Sequence, residues 1–177
     1  ALRAAAAGYR GLPSRLAPIA TIAGVTFVDD SLSTNVLPTL AALDAFPARR
    51  IALIVGGHDR GIDYAPLAAG LVARPAPTYV LTLPDSGPRI RAQINQAAAP
   101  HQAAAPHQPA APQEPHPSTA FAGATDCPDL AAAVAAGYRW AKPDGVVLLS
   151  PAAPSFGQFR DYRDRAEAFS HAMHALT

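Results

Sequence analysis

The chain has 177 residues, 50% of them hydrophobic, which is long enough and apolar enough for one folded core. A formal net charge of +1 with a pI near 8.2 gives no electrostatic case for nucleic acid or an anionic membrane as partner, and no apolar run reaches the length of a membrane span. All of the 14 basic residues except Lys142 are arginine, so phosphate-loop or Schiff-base chemistry must use that one lysine or be absent. The lone Cys127 excludes an internal disulfide and a multi-cysteine zinc site.

In chain order, Ala1 to Arg10 reads as the end of a helix and Gly11-Leu-Pro-Ser-Arg15 as a connection. Strands are predicted at Val25 to Asp29, Arg50 to Val55, Thr78 to Leu83 and Gly145 to Leu149, with a weaker one near Thr119 to Ala124. Helical patterns lie between and after them at Val36 to Phe46, Tyr64 to Val72, Ser86 to Gln96, Asp129 to Trp140 and Asp161 to Leu176. In the Asp129 helix, Leu130, Val134 and Tyr138 recur on one face and Asp129 is placed to cap the first turn. Residues 96–118 stand apart. Ala97-Ala-Ala-Pro-His-Gln102 repeats directly as Ala103-Ala-Ala-Pro-His-Gln108, and the segment holds six of the 19 prolines. It reads as an extended surface insertion rather than a helix or strand. Its histidines, His101, His107 and His116, read as low complexity rather than as a metal site.

Runs such as Ile51 to Val55 and Val146 to Leu149 are apolar on both faces, as buried parallel strands must be. Strand and helix alternation then predicts an α/β fold, a three-layer Rossmann-like sheet, mostly parallel and flanked by helices. Ligands in such folds bind beyond the carboxyl ends of the strands. The segments there are Asp29 to Asn35, Gly56-Gly-His-Asp-Arg-Gly61, Pro84 to Gly87 and Ser150 to Gly157. Their glycines would let backbone N–H groups approach a ligand, and a helix starting after Thr34 or Ser155 would offer a positive end to an anion. Arg60 adds a guanidinium fork suited to a carboxylate or phosphate. Each feature alone reads as a cap or a turn, and their coincidence on one edge reads as a site. A receiver domain does not fit, since it needs its aspartate after the third strand. A phosphatase nucleophile does not fit either, since Ser31 stands where a second aspartate is required. His171 and His174 read as ordinary helix residues and Cys127 as inert.

Five segments in order carry a resemblance: Gly11-Leu-Pro-x-Arg15, Phe27-Val-Asp-Asp-Ser-x-x-Thr-Asn35, Ile54-Val-Gly-Gly57, Leu149-Ser-Pro-Ala and Ser155-x-x-Gln-Phe159. Together they resemble the C-terminal domain of the Mur ligases, most closely the glutamate-adding MurD branch. The resemblance implies an ATP-dependent ligase of peptidoglycan precursor synthesis, in the cytoplasm. There, the carboxylate of UDP-N-acetylmuramoyl-L-alanine becomes an acyl phosphate that the amine of glutamate attacks. Carried over by position, Thr34, Arg60, Ser155 and Tyr162 would hold glutamate, and Arg15, Asp30 and Asn35 would meet ATP when domains close. No catalytic side chain and no metal ligand is assigned.

Three positions depart from the family pattern: Ser14 replaces a histidine, and Leu32 and Arg60 replace lysines. The departures at Leu32 and Arg60 open a branch that adds L-glutamate and works with an epimerase. The Gly-Lys-Ser/Thr phosphate loop and the magnesium ligands of the family are missing from the sequence, because Lys142 lies in Ala141-Lys-Pro-Asp144. The expectation is therefore a fragment inactive alone, with residues 1–15 the tail and hinge of a central domain and residues 16–177 the C-terminal domain. N-terminal and central domains elsewhere in the same enzyme would hold most of the ATP and Mg2+. A stand-alone module binding an acidic ligand is the alternative.

Overall fold

In a computed structural model of the chain, residues 11–103 and 121–176 are described. The expected helix at Ala1 to Arg10 and the part of the insertion beyond Ala103 lie outside them. The elements run β1 (Ala17–Ile22), β2 (Val25–Asp29), α1 (Val36–Asp44), β3 (Ile51–Val55), α2 (Ala65–Ala73), β4 (Thr78–Thr82), α3 (Gly87–Ala103), β5 (Phe121–Asp126), α4 (Leu130–Ala141), β6 (Val146–Leu149) and α5 (Tyr162–His174). They form the α/β architecture expected from the sequence: a six-stranded sheet in the order β1-β2-β6-β3-β4-β5. Strands β2, β6, β3, β4 and β5 are parallel, and β1 runs antiparallel to β2 at the edge.

The three layers follow from period-two alternation within the central strands. Ile51, Leu53 and Val55 of β3 turn to one face, joining Val28, Val80 and Leu148, and meet α1, α2 and α3 through Leu43, Leu67, Leu71, Ile90 and Ile94. Ala52 and Ile54 turn to the other face, with Phe27, Leu81 and Val147, and meet α4 and α5 through Leu130, Val134, Tyr138, Phe169 and Met173. Every residue of β3 and β6 is buried, which is why their sequences show no polar alternation. The expected cap on α4 is present, with Asp129 Oδ1 accepting from the Ala132 N–H at 2.7 Å.

Two elements differ from expectation. No strand is predicted before Val25, yet residues 17–22 form β1. Ala23 and Gly24, with φ of 46° and 85°, make the two-residue turn that folds it back on β2. The strand carries Pro18 and leaves Ile19 38% exposed, so it lacks an apolar run, as an edge strand can. The second difference is α3, which continues through Pro100 to Ala103, so residues 96–103 are helical and not extended. Alanine is the strongest helix former. Ala98 is buried, and Ala97 packs against the same core, so this stretch has a face to bury after all.

Candidate functional site

The sheet order sets where a ligand crevice lies. The segment after β2 leads to α1 and that after β3 to α2, both on one face, while β6 lies between these strands and leads to α5 on the opposite face. The connections therefore diverge above β6, which is the switch point of an open parallel sheet. Thr34, Arg60 and Ser155 stand on the three loops that meet there.

These loops brace one another through their backbones. The Gly56 N–H donates to Pro151 O (2.8 Å), His58 N–H to Pro154 O (2.9 Å), and Ala152 N–H to Ser33 O (2.9 Å). The Gly57 N–H donates to Ser86 Oγ at 3.1 Å, and the Asp59 and Gly61 N–H groups go to Asp85 Oδ2 and Asp59 Oδ1. The three glycine N–H groups of this loop are thus taken by protein acceptors, and the expectation that they reach a ligand does not hold. Nor does a helix start directly after Ser155. Pro154 precedes a single turn that contains Gly157 (φ 89°) and is closed by Phe159 N–H to Ser155 O, and α5 begins only at Tyr162 under the Asp161 cap.

The side chains contrast with the glycine N–H groups. The half-buried Thr34 and the buried Ser155 have no side-chain hydrogen-bond partner among the described residues, and neither does the exposed Arg60 guanidinium. Tyr162 is half-buried at the start of α5. Its hydroxyl accepts from Arg163 Nε at 3.2 Å, and it lines a groove of ≈ 490 Å³ together with Leu12, Ser14 and Leu32. Leu32 donates its N–H to Ser14 O at 3.0 Å, so this apolar side chain is seated beside the Gly11 to Arg15 segment.

Of the residues expected to meet ATP, Arg15 is exposed, with no ion-pair partner for its guanidinium among the described residues. Its neighbours Ser14 and Leu16 hold left-handed backbone, at φ 57° and 46°. Asn35 turns its side-chain oxygen to its own helix, accepting from Val36 N–H at 2.7 Å. Asp30 is buried and engaged at both oxygens, accepting from Leu16 N–H (3.0 Å) and Ser150 Oγ (2.7 Å). Of these three residues, Arg15 is the one that offers a cation to a phosphate. Among the described residues, no group of three or more His, Cys, Asp or Glu side chains comes together to hold a metal ion.

Sequence reasoning missed three supports. Ser150 and Thr39 extend the Asp30 network, with Ser150 Oγ 3.1 Å from Thr39 Oγ1. Arg89 holds Asp59, with Nε 2.8 Å from Oδ2, and lies over the Tyr64 ring at 5.0 Å. Arg165, fully buried on α5, donates to Ala153 O (3.0 Å) and Ser31 O (2.8 Å). One signal could have found the last of these: Arg165, Phe169 and Met173 recur at i, i+4 and i+8, so a charge sits on the buried stripe.

The Asp59 tether has a pH signature. The hydrogen bonds from Arg89, and then the Gly61 N–H, hold the Asp59 carboxyl below its usual 3.8. A depressed carboxyl contributes stability above its unfolded pKa and loses it as the pH falls through the folded value. Asp59→Asn is therefore expected to destabilise at neutral pH by at most about 1 kcal/mol, since the pair is partly exposed, and to destabilise less as the pH falls below 3.8 towards the folded value. Urea midpoints in the two pH ranges check this, and an equal loss in both would contradict it.

The family model described as Mur ligase, glutamate ligase domain matches residues 14–153. The chain belongs to this family. Thr34 and Arg60 fall inside the matched span of the Mur ligase domain, and Ser155 and Tyr162 lie just beyond it. The chain is 42% identical over 173 residues to a UDP-N-acetylmuramoyl-L-alanine–L-glutamate ligase of Micromonospora sp., covering 98% of this chain and 33% of that protein. It is 40% identical to the enzymes of that name from Salinispora tropica and Xanthomonas euvesicatoria pv. vesicatoria, covering 97% and 96% of this chain and 33% and 32% of theirs. The chain thus spans about a third of the length of these relatives. Among solved structures, the fold matches the murein peptide ligase Mpl of Psychrobacter arcticus with a TM-score of 0.58 at 13% identity, covering 98% of this chain and 32% of that one. It matches MurF ligase of Thermotoga maritima, solved in complex with ADP, with a TM-score of 0.50 at 15% identity, covering 97% and 34%.

Proposed function

We propose that this chain is the glutamate-holding domain of an ATP-dependent ligase that joins L-glutamate to UDP-N-acetylmuramoyl-L-alanine in peptidoglycan precursor synthesis. One observation supports the reading: the loops after β2, β3 and β6 are joined by backbone hydrogen bonds, and the side chains of Thr34, Arg60 and Ser155 on them have no hydrogen-bond partner among the described residues. Two hydroxyls and a fixed cation suit a small dicarboxylic amino acid. The choice of L-glutamate rests on the names of the relatives, and Leu32 and Arg60 are where the charge geometry departs from the lysine-bearing pattern.

In this reading Thr34, Ser155 and the Arg60 fork orient the two carboxylates, with Tyr162 closing one side. Arg15 and Asn35 face the nucleotide when the domains close, while Asp30 acts through the loops that it joins. ATP supplies the phosphoryl group that activates the sugar-linked carboxylate, and it and Mg2+ are held mainly by another part of the natural chain. Residues 1–15 would then be the tail and hinge of that part, and the left-handed pair flanking Arg15 suits a hinge. The work of this domain is positioning and exclusion of water, in the cytoplasm where the precursors are made.

In the full natural chain, Arg60→Ala and Thr34→Ala are each expected to raise the KM for L-glutamate about 10- to 100-fold, the loss of a charge-assisted hydrogen bond, with a smaller effect on kcat. Steady-state kinetics with glutamate as the varied substrate measure this. An unchanged KM and turnover in both variants would contradict the assignment.

A further inference from the structure

Arg165 is a buried cation with no carboxylate bonded to it. Its side chain is 0% exposed, its two terminal nitrogens go to the neutral carbonyls of Ser31 and Ala153, and Nε has no partner. The nearby carboxylate of Asp29 adds attraction, but its Oδ1 accepts from Ser31 N–H and Ser31 Oγ. Burial pushes the guanidinium down to about 10, so it stays charged at neutral pH. Taking a charge out of water is costly, and an apolar side chain of similar volume would fill the same space without that cost.

What the guanidinium holds gives the reason for it. Ser31 O lies on the loop that reaches Thr34 three residues later, and Ala153 O lies on the loop that reaches Ser155 two residues later. The third loop is also packed on it, since a Cβ on Gly57 would sit 3.2 Å from Arg165 Nη1. A planar fork with fixed angles fixes the spacing of two carbonyls in a way that a flexible ammonium does not. From these contacts we infer that Arg165 is a positioning residue for the glutamate site. It acts from beneath, keying the loops of Thr34, Arg60 and Ser155 to one another and placing a positive charge under an anionic ligand. The inference rests on the function proposed above. The low dielectric around the guanidinium strengthens its attraction for a carboxylate lying over the loops.

The test uses the full natural chain with Arg165→Lys, which keeps the charge and loses the fork, and Arg165→Met, which loses both. Two readouts are taken: hydrogen exchange of residues 29–36, 56–61 and 150–157 without ligand, and KM and kcat for L-glutamate. Exchange in all three loops is expected to quicken about tenfold or more in Arg165→Lys, with strands β3 and β6 unchanged. Its KM for L-glutamate is expected to rise about tenfold, with kcat within about threefold of wild type, and Arg165→Met is expected to exceed it in both. If Arg165→Met does not fold, Arg165→Lys decides. Wild-type loop exchange in the Lys variant, or faster exchange with an unchanged KM, overturns the inference while leaving the site intact. A wild-type chain without L-glutamate-dependent turnover overturns the function and the inference together.

Discussion

Replacing Gly57 by alanine is expected to cost about 3–4 kcal/mol of stability and to lower the midpoint of thermal unfolding by about 10 °C. Gly57 has φ of 150°, and a Cβ there would lie 2.3 Å from Pro154 O, 3.4 Å from Pro154 C and 3.2 Å from Arg165 Nη1. The first contact is with backbone, so relief requires the loop after β6 to move, and with it the His58 N–H to Pro154 O bond. Gly61 in the same loop is the control. It has φ of 73° and nothing within 4 Å of an added Cβ, so Gly61→Ala is expected to cost only about 1 kcal/mol of backbone strain. Thermal unfolding of the two variants checks the contrast, and equal losses would mean that the clash, and so the close contact of the two loops, is not there.

Asp30→Ala is expected to cost about 2–4 kcal/mol. The carboxylate is 2% exposed and joins the start of β1, through Leu16 N–H, to the end of β6, through Ser150 Oγ. Truncation leaves the partly buried Leu16 N–H without its acceptor and the buried Ser150 hydroxyl with Thr39 Oγ1 alone, and an unmade buried bond costs more than a made one contributes. Asp30→Asn keeps one carbonyl oxygen and the shape, and is expected to cost about 1–2 kcal/mol. Denaturant midpoints give both values. They also separate two roles for Asp30. A brace loses stability and activity in step, whereas a group that touched the nucleotide would lose activity in Asp30→Asn with stability kept. An Asp30→Ala protein as stable as wild type would remove the brace from the account.

The layers of the fold were legible because their signals are local. Ile51 to Val55 is apolar on both faces and becomes a buried central strand, and Asp129 stands one residue before an amphipathic run and caps it. What escaped depends on contacts distant in sequence. β1 is an edge strand whose residues alternate weakly, and its one local signal is the Ala23-Gly24 turn. The Ala97 to Ala99 run has high helix propensity, and it is held in α3 by the packing of Ala97 and Ala98, which the prolines and the repeat around it obscure. In the site, the segments at the strand ends were readable from their polar residues. Which of their groups remain available was not, because that is decided by pairs such as Gly57 with Ser86 and Ser33 with Ala152. The same holds for Arg165, which reads in sequence as one more basic residue on a charged helix and lies in fact beneath the loops.

The central claim is that these loops hold L-glutamate for addition to a sugar-nucleotide peptide. It is tested most directly by supplying the full natural chain with UDP-N-acetylmuramoyl-L-alanine, ATP and Mg2+, and either L- or D-glutamate, and following ADP release together with the mass and configuration of the product. The account predicts turnover with L-glutamate, with kcat/KM for the D isomer lower by about tenfold or more. Turnover with D-glutamate in preference to L-glutamate, or with neither, would contradict it.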